Sequence, residues 1–272
     1  MEMTDQGPIR TRREGAVLEV TLDRPKANAI DLATSRIMGR TFRAFRDDDS
    51  LRVAILRAEG EKFFCPGWDL KAAAAGDAVD GDYGVGGFGG LQELPNLNKP
   101  VIAAVNGICC GGGLELALSC DLILASDNAT FALPEIRSGT VADAASIKLP
   151  KRIPYHVAMD LLLTGRWFDA DEALRWGLIK EICATAICWP GPGIWRGCWN
   201  PGHRWSMPRS RKWSGKPKTC GFRMRWPGSP NGCCRRWTGS IPARISWRGH
   251  GPLRKSGNRC GRGSSVRARD IY

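Results

Sequence analysis

The alternation of apolar and polar positions is regular for two thirds of the chain and then stops. Ala16-Val-Leu-Glu-Val-Thr-Leu-Asp-Arg-Pro predicts a β-strand that ends at Pro25. Residues 33–46 place Ile37, Met38, Phe42 and Phe45 at three- and four-residue spacings, the period of an amphipathic helix. Residues 51–58 predict a second strand. Residues 100–106 are apolar on both faces and predict a buried third. A helix is expected over 114–120, a fourth strand over 121–127 and a short fifth over 129–134. Residues 81–90 are more than half glycine and predict a flexible surface loop. Strands alternating with helices point to a layered α/β fold with a largely parallel sheet across residues 1–182. No internal repeat is present.

From Cys183 onward this pattern is gone. Only eight of the last 90 residues are Leu, Ile, Val or Phe, too few to bury a core, and Gly and Pro interrupt every candidate helix. The formal net charge of +13 conceals the same division. Residues 183–272 hold 19 Lys and Arg against one acid, Asp270, whereas residues 1–182 hold 21 basic and 26 acidic groups. Eight of 11 Trp and seven of 11 Cys also fall in the last 90 residues. Two domains of unlike composition follow, 1–182 as a folded core and 183–272 as a disordered basic tail. Arg, Gly, Pro, Trp and Cys are what an out-of-frame reading of a G+C-rich gene produces, with the break near residues 182–186. If a shifted frame yields no amphipathic helices there, that reading fails. Charge and Trp stacking give the tail nonspecific affinity for polyanions, without implying a specific nucleic-acid partner. Cys183, Cys188, Cys198 and His203 match no zinc-module spacing. The acidic start without an apolar segment, and the absence of an apolar run of about 18 to 20 residues, lead to the expectation of a cytoplasmic protein without a membrane partner.

Candidate chemistry centres on Lys99-Pro-Val-Ile-Ala-Ala-Val-Asn-Gly-Ile-Cys-Cys-Gly-Gly-Gly-Leu-Glu115. Three glycines let backbone N–H groups approach a ligand, and the helix that follows adds partial positive charge there. Glu115 lies in its first turn. Acids are common there simply to offset the helix dipole, but beside such a run an acid/base role is also open. Glu135, after Pro134, reads as a loop acid at a sheet edge. The two carboxylates could share one water, although a 20-residue separation does not bring them together by itself. The Gly67-Trp68 turn could direct a second N–H toward Gly112, or serve only as a turn stabilised by Asp69.

Gly111-Gly-Gly-Leu-Glu, Phe64-Cys-Pro-Gly-Trp-Asp, Asp23-Arg-Pro-Lys-Ala-Asn-Ala and Leu133-Pro-Glu, in that set and order along the chain, resemble the crotonase (enoyl-CoA hydratase/isomerase) superfamily. The likeness covers about residues 10–182. It implies a crotonase-like β-β-α core, with the C-terminal helical region of that family lost. It implies that the Trp68 and Gly112 amides hold a thioester oxygen and that Glu115 and Glu135 move protons at the α- and β-carbons. Lys26, Ala27, Gly67, Asp69 and Lys71 would lie along the CoA thioester. No metal and no cofactor is implied beyond the CoA of the substrate, and the partners implied are copies of the chain in a homotrimer or hexamer. Within the family, Arg24-Pro-Lys-Ala-Asn-Ala-Ile-Asp and Gly67-Trp-Asp-Leu-Lys-Ala-Ala-Ala resemble the members that interconvert carnitinyl-CoA and crotonobetainyl-CoA. A quaternary ammonium substrate would suit an aromatic lining, for which Trp68, Tyr83 and Phe88 are candidates. Generic enoyl-CoA hydration or isomerisation, and an inactive remnant of the fold, stay open. One departure stands out: Val141-Ala-Asp-Ala-Ala-Ser-Ile-Lys-Leu-Pro replaces a Pro-Asp-Ser-Gly-Gly-type segment, is one residue shorter, and is expected to shape the loop after Glu135.

Overall fold

A computed structural model describes residues 2–76 and 81–183; the 183–272 tail, apart from Cys183, lies outside the described residues. Two sheets and seven helices make up this part. The larger sheet contains β1 (Glu2–Asp5), β2 (Ile9–Glu14), β3 (Val17–Leu22), β4 (Val53–Ala58), β6 (Val101–Val105), β8 (Leu122–Ser126) and β11 (Glu181–Cys183). They lie in that spatial order, antiparallel from β1 to β3 and parallel from β3 to β11. The smaller sheet runs β10 (Phe168–Asp169), β9 (Thr130–Ala132), β7 (Ile108–Cys110), β5 (Phe63–Cys65). The helices are α1 (Leu32–Asp47), α2 (Leu70–Ala74), α3 (Gly112–Ser119), α4 (Glu135–Ser138), α5 (Asp143–Lys148), α6 (Tyr155–Thr164) and α7 (Ala170–Arg175). No helix among the described residues is long and apolar enough to cross a membrane.

The α/β reading of the sequence holds. Every residue of β6 is buried, as its uninterrupted apolar run requires. Met38, Phe42 and Phe45 turn one stripe of α1 into the main core, with Val20, Leu22 and Leu56. Four features differ from expectation. Strand β2 was not legible, because Ile9 is its one fully buried residue among arginines. Those arginines instead form ion pairs, Arg10 with Asp23 at 3.1 Å and Arg13 with Asp48 at 3.4 Å. Of the second sheet only β9, the short strand expected over 129–134, was legible; β5, β7 and β10 were not, being two or three residues long. Asn106 directs the chain from one sheet to the other, its amide donating to Ala58 O at 3.3 Å and to Gly60 O.

The third difference is the glycine-rich stretch. Asp82 and Gly84 are exposed, but Gly86, Gly87, Gly89 and Gly90 are buried. They lie against α1 and α3, so close that a methyl group on Gly90 would overlap the backbone of Gly39. Glycine serves packing here rather than flexibility, and Gly89 N–H donates to Ser35 Oγ of α1 at 3.1 Å. The fourth concerns Glu135, which opens the short helix α4 instead of lying in a loop; the segment beyond it forms α5.

Arg24 links two helix starts. Its guanidinium bonds Asp31 Oδ2 at 2.8 Å, Asp69 Oδ2 at 2.7 Å and Ala29 O at 2.9 Å. Asp31 caps α1 by accepting from Thr34 N at 2.7 Å, and Asp69 caps α2 by accepting from Lys71 N at 2.9 Å. The bond from Arg24, joined by those from Lys71 and Ala72, holds the Asp69 carboxyl below its usual range. Burial raises Asp31, but Thr34 and Arg24 outweigh it and the net direction is down. Replacing the guanidinium should destabilise the fold: Arg24→Gln is expected to cost about 1–2 kcal/mol at pH 7 by chemical denaturation. Carboxylates with lowered values lend stability above their unfolded range and lose it as pH falls through the folded value. The difference between variant and parent should therefore shrink below about pH 4.

Candidate active site

The first turn of α3 is the hub of the candidate site. Gly111 precedes the helix with φ +55°, and its carbonyl accepts from Glu115 N at 3.1 Å. A Cβ at Gly111 would lie 3.1 Å from Glu135 Oε1. Both glutamates, 20 residues apart in sequence, thus contact Gly111, Glu115 through its backbone amide and Glu135 through its carboxylate.

Their surroundings are unlike. Glu115 is 8% exposed; its Oε1 accepts from Ala145 N of α5 at 2.9 Å, and its Oε2 faces Gln92 Nε2 at 3.5 Å. Burial raises its carboxyl above the usual range and Asp143 adds to this, while the Ala145 and Gln92 donors and the Lys148 cation oppose it. Glu135 is half-buried, and its Oε2 is sealed from solvent with no hydrogen-bond partner. Burial pushes Glu135 up, the nearby Glu115 charge pushes it further, and only a bond from its own backbone amide opposes. One carboxylate therefore has donors from other residues on both oxygens, and the other has only its own backbone amide on one.

The Gly67-Trp68 turn meets the same helix start. Gly67 has φ +101°, and a side chain there would bring Cβ within 2.8 Å of Gly112 N. Ile30 N donates to Gly67 O at 2.8 Å and Asp69 N to Ile30 O at 2.9 Å. With these neighbours bonded to Ile30, strand-like alternation turns the Trp68 N–H to the opposite side. Among the described residues, neither the Trp68 nor the Gly112 amide donates a hydrogen bond. The ring of Phe88 packs on Gly112 and makes an edge contact with Tyr83, centroids 5.6 Å apart. The indole N–H of Trp68 is buried without a partner.

The remaining predicted positions form a second group. Lys26 is exposed and Ala27 half-buried, in a turn closed by Asn28 Oδ1 on Arg24 N at 2.9 Å and by Asn28 N on Arg24 O at 2.8 Å. Arg24 ties that turn to Asp69, and hence to the exposed Lys71. Both Asp69 oxygens are engaged within the protein, one on Arg24 and one on the start of α2. Sequence reasoning did not find Gln92, Ala145, Lys148 or Arg24. The departing segment at 141–150, expected to shape the loop after Glu135, forms α5, whose Ala145 N also bonds Glu115 Oε1.

A strand-to-helix glycine turn, two dissimilar glutamates and a second turn packed on the helix start make up the candidate site. Residues 12–187 match the family model described as enoyl-CoA hydratase/isomerase, and the chain belongs to that family. The match ends close to the change in composition near Cys183. Over 172 residues the chain is 60% identical to the carnitinyl-CoA dehydratase of Proteus mirabilis, an alignment covering 63% of this chain and 66% of that protein. The Escherichia coli K12 protein of the same name is 57% identical over 179 residues, covering 65% and 69%. The chain thus spans about two thirds of the length of the curated relatives it matches. Among solved structures, a carnitinyl-CoA dehydratase from Mycobacterium avium 104 aligns with TM-score 0.64 and 38% identity over 67% of this chain and 72% of that one. An enoyl-CoA hydratase from Mycobacterium tuberculosis H37Rv gives 0.62 and 38% over 67% and 71%.

Proposed function

We propose that this chain adds water to, and removes it from, the α,β carbon–carbon bond of a CoA thioester, interconverting carnitinyl-CoA and crotonobetainyl-CoA. The observation that carries the reading is the contrast across Gly111: Glu115 accepts from Ala145 and faces Gln92, while Glu135 Oε2 has no partner. Donors on both of its oxygens suit Glu115 to act as the base, and an oxygen without a donor suits Glu135 to hold the proton. In hydration, the Glu115 carboxylate takes a proton from water as the water oxygen bonds the β-carbon. Electron density moves onto the thioester oxygen, and protonated Glu135 then delivers its proton to the α-carbon. Water adds to one face, and dehydration reverses the order. The amides of Trp68 and Gly112 hold the enolate-like oxygen, each supplying about 3–4 kcal/mol. Support comes from their lack of acceptors among the described residues and from the fit of Gly67 against Gly112 N.

The likeness of named relatives supports the acyl group, and the Phe88–Tyr83 pair offers aromatic faces for a trimethylammonium group. Lys26 and Lys71, exposed and joined through Arg24, suit the CoA phosphates. Val141, 77% exposed, and Leu163, 61% exposed, suit burial in a trimer or hexamer. The purified chain should hydrate crotonobetainyl-CoA and leave crotonyl-CoA nearly untouched. The reverse preference would favour generic enoyl-CoA hydration, and no turnover with either would favour the inactive remnant.

The unpartnered acid also has a thermodynamic signature. A carboxyl raised in the fold contributes full stability below its unfolded value near 4.5 and loses it as pH rises through the folded value. Glu135→Gln should therefore gain in Tm relative to the parent between pH 4.5 and pH 7.5. Thermal unfolding at both pH values checks this, and a constant difference would refute it.

A further inference from the structure

One half-buried cation beside the glutamates has no part in the reaction above. Lys148 ends α5, and its Nζ donates to Ser119 Oγ at 2.6 Å and to Gln92 O at 3.5 Å. Both acceptors belong to the surroundings of Glu115. Ser119 lies one turn along α3, where its hydroxyl donates to Glu115 O at 2.8 Å, and the Gln92 side chain faces Glu115 Oε2. Helix α5 has six residues and no side-chain cap at its start. So short a helix has little stability of its own and takes its place from tertiary contacts. Ala145 N on Glu115 Oε1 is one such contact, and Lys148 on Ser119 is the other end of the same bracket.

We propose that Lys148 is a positioning residue for Glu115: through its bond to Ser119 it ties α5 to α3 so that the Ala145 amide stays on Oε1. The inference rests on the reading of Glu115 as the base. The other charges around this carboxylate do not replace Lys148. Asp143, on the same helix, and Glu135, across Gly111, are both acids. Glu93 and Arg152 act on Lys148 itself, in opposite senses. Burial lowers Lys148, but the Glu115 charge draws it back toward its charged form. The segment that departs from the family pattern thus acts on the first glutamate through both of its ends.

The test is a carboxyl titration by NMR on the full chain carrying [δ-13C]glutamate, with the Glu115 signal assigned by its loss in Glu115→Gln. In Lys148→Met the Glu115 midpoint should rise, and in Lys148→Arg it should return close to that of the parent. An unmoved midpoint in Lys148→Met would overturn the proposal. Should that variant not fold, the reciprocal experiment decides: the 15Nζ midpoint of Lys148 should fall in Glu115→Gln, and an unchanged value overturns the assignment. Neither titration uses substrate. A parent protein that fails to hydrate crotonobetainyl-CoA would defeat the function reading, and the fate of Lys148 would still be decided by the titrations. In active protein, the acid limb of kcat/KM should move upward in Lys148→Met and remain in place in Lys148→Arg; a fixed limb in both would overturn the role.

Discussion

Glu115→Gln should reduce kcat/KM for hydration of crotonobetainyl-CoA by about 10²- to 10⁴-fold, the range supplied by a positioned general base. The amide keeps an oxygen for the Ala145 N–H, so the bond that locates α5 survives. What disappears is the capacity to take a proton from water. The variant also removes a carboxyl whose charged form burial penalises, so its Tm at pH 7.5 should equal or exceed that of the parent. Loss of activity with undiminished stability separates a chemical role from a structural one. Retained hydration, measured by steady-state assay, would remove Glu115 from the reaction.

The second large effect is expected at Gly113. A methyl group there would overlap the carbonyl oxygen of Cys65, a backbone atom in β5 that no rotamer change can move aside. Gly113→Ala must push α3 away from the smaller sheet, and overpacking of this kind costs about 1–3 kcal/mol or more. The displacement also carries the Gly112 amide with it. A shift of about 1 Å at a positioned group can cost about 100-fold in rate. Denaturation and steady-state kinetics should therefore both report loss. A variant that is unfolding-resistant and fully active would show that the close approach of Gly113 to Cys65 is not required.

Some parts of this molecule could be read from local sequence and others could not. The run at 100–106 revealed a buried strand because uninterrupted apolar residues admit few other places. Helix α1 announced itself through Met38, Phe42 and Phe45. Strand β2 did not, since its pairing is carried by the backbone and Arg10 and Arg13 form ion pairs with Asp23, Glu59 and Asp48, residues remote in sequence. The glycines at 86–90 were misread for a related reason. Composition cannot distinguish a glycine that permits motion from one that permits contact, and here Gly39 on α1 decides between them. At the site, Glu115 and the glycine run before it lie within one turn and were legible together. The donors around Glu115 come from residues 92 and 145, and no spacing rule links those positions to it.

The bond from Ala145 to Glu115 has a consequence for how the chain is made. Its donor lies 30 residues after its acceptor. On a ribosome, α3 and the strands on either side of it emerge before the partner that lets the acid settle inside. An ionised carboxyl without that partner is expensive to shelter from water, so the emerging glycine turn must keep the acid wet or protonated until α5 arrives. Shelter for the Glu115 carboxylate is thus completed only when a segment 30 residues further along the chain has joined it.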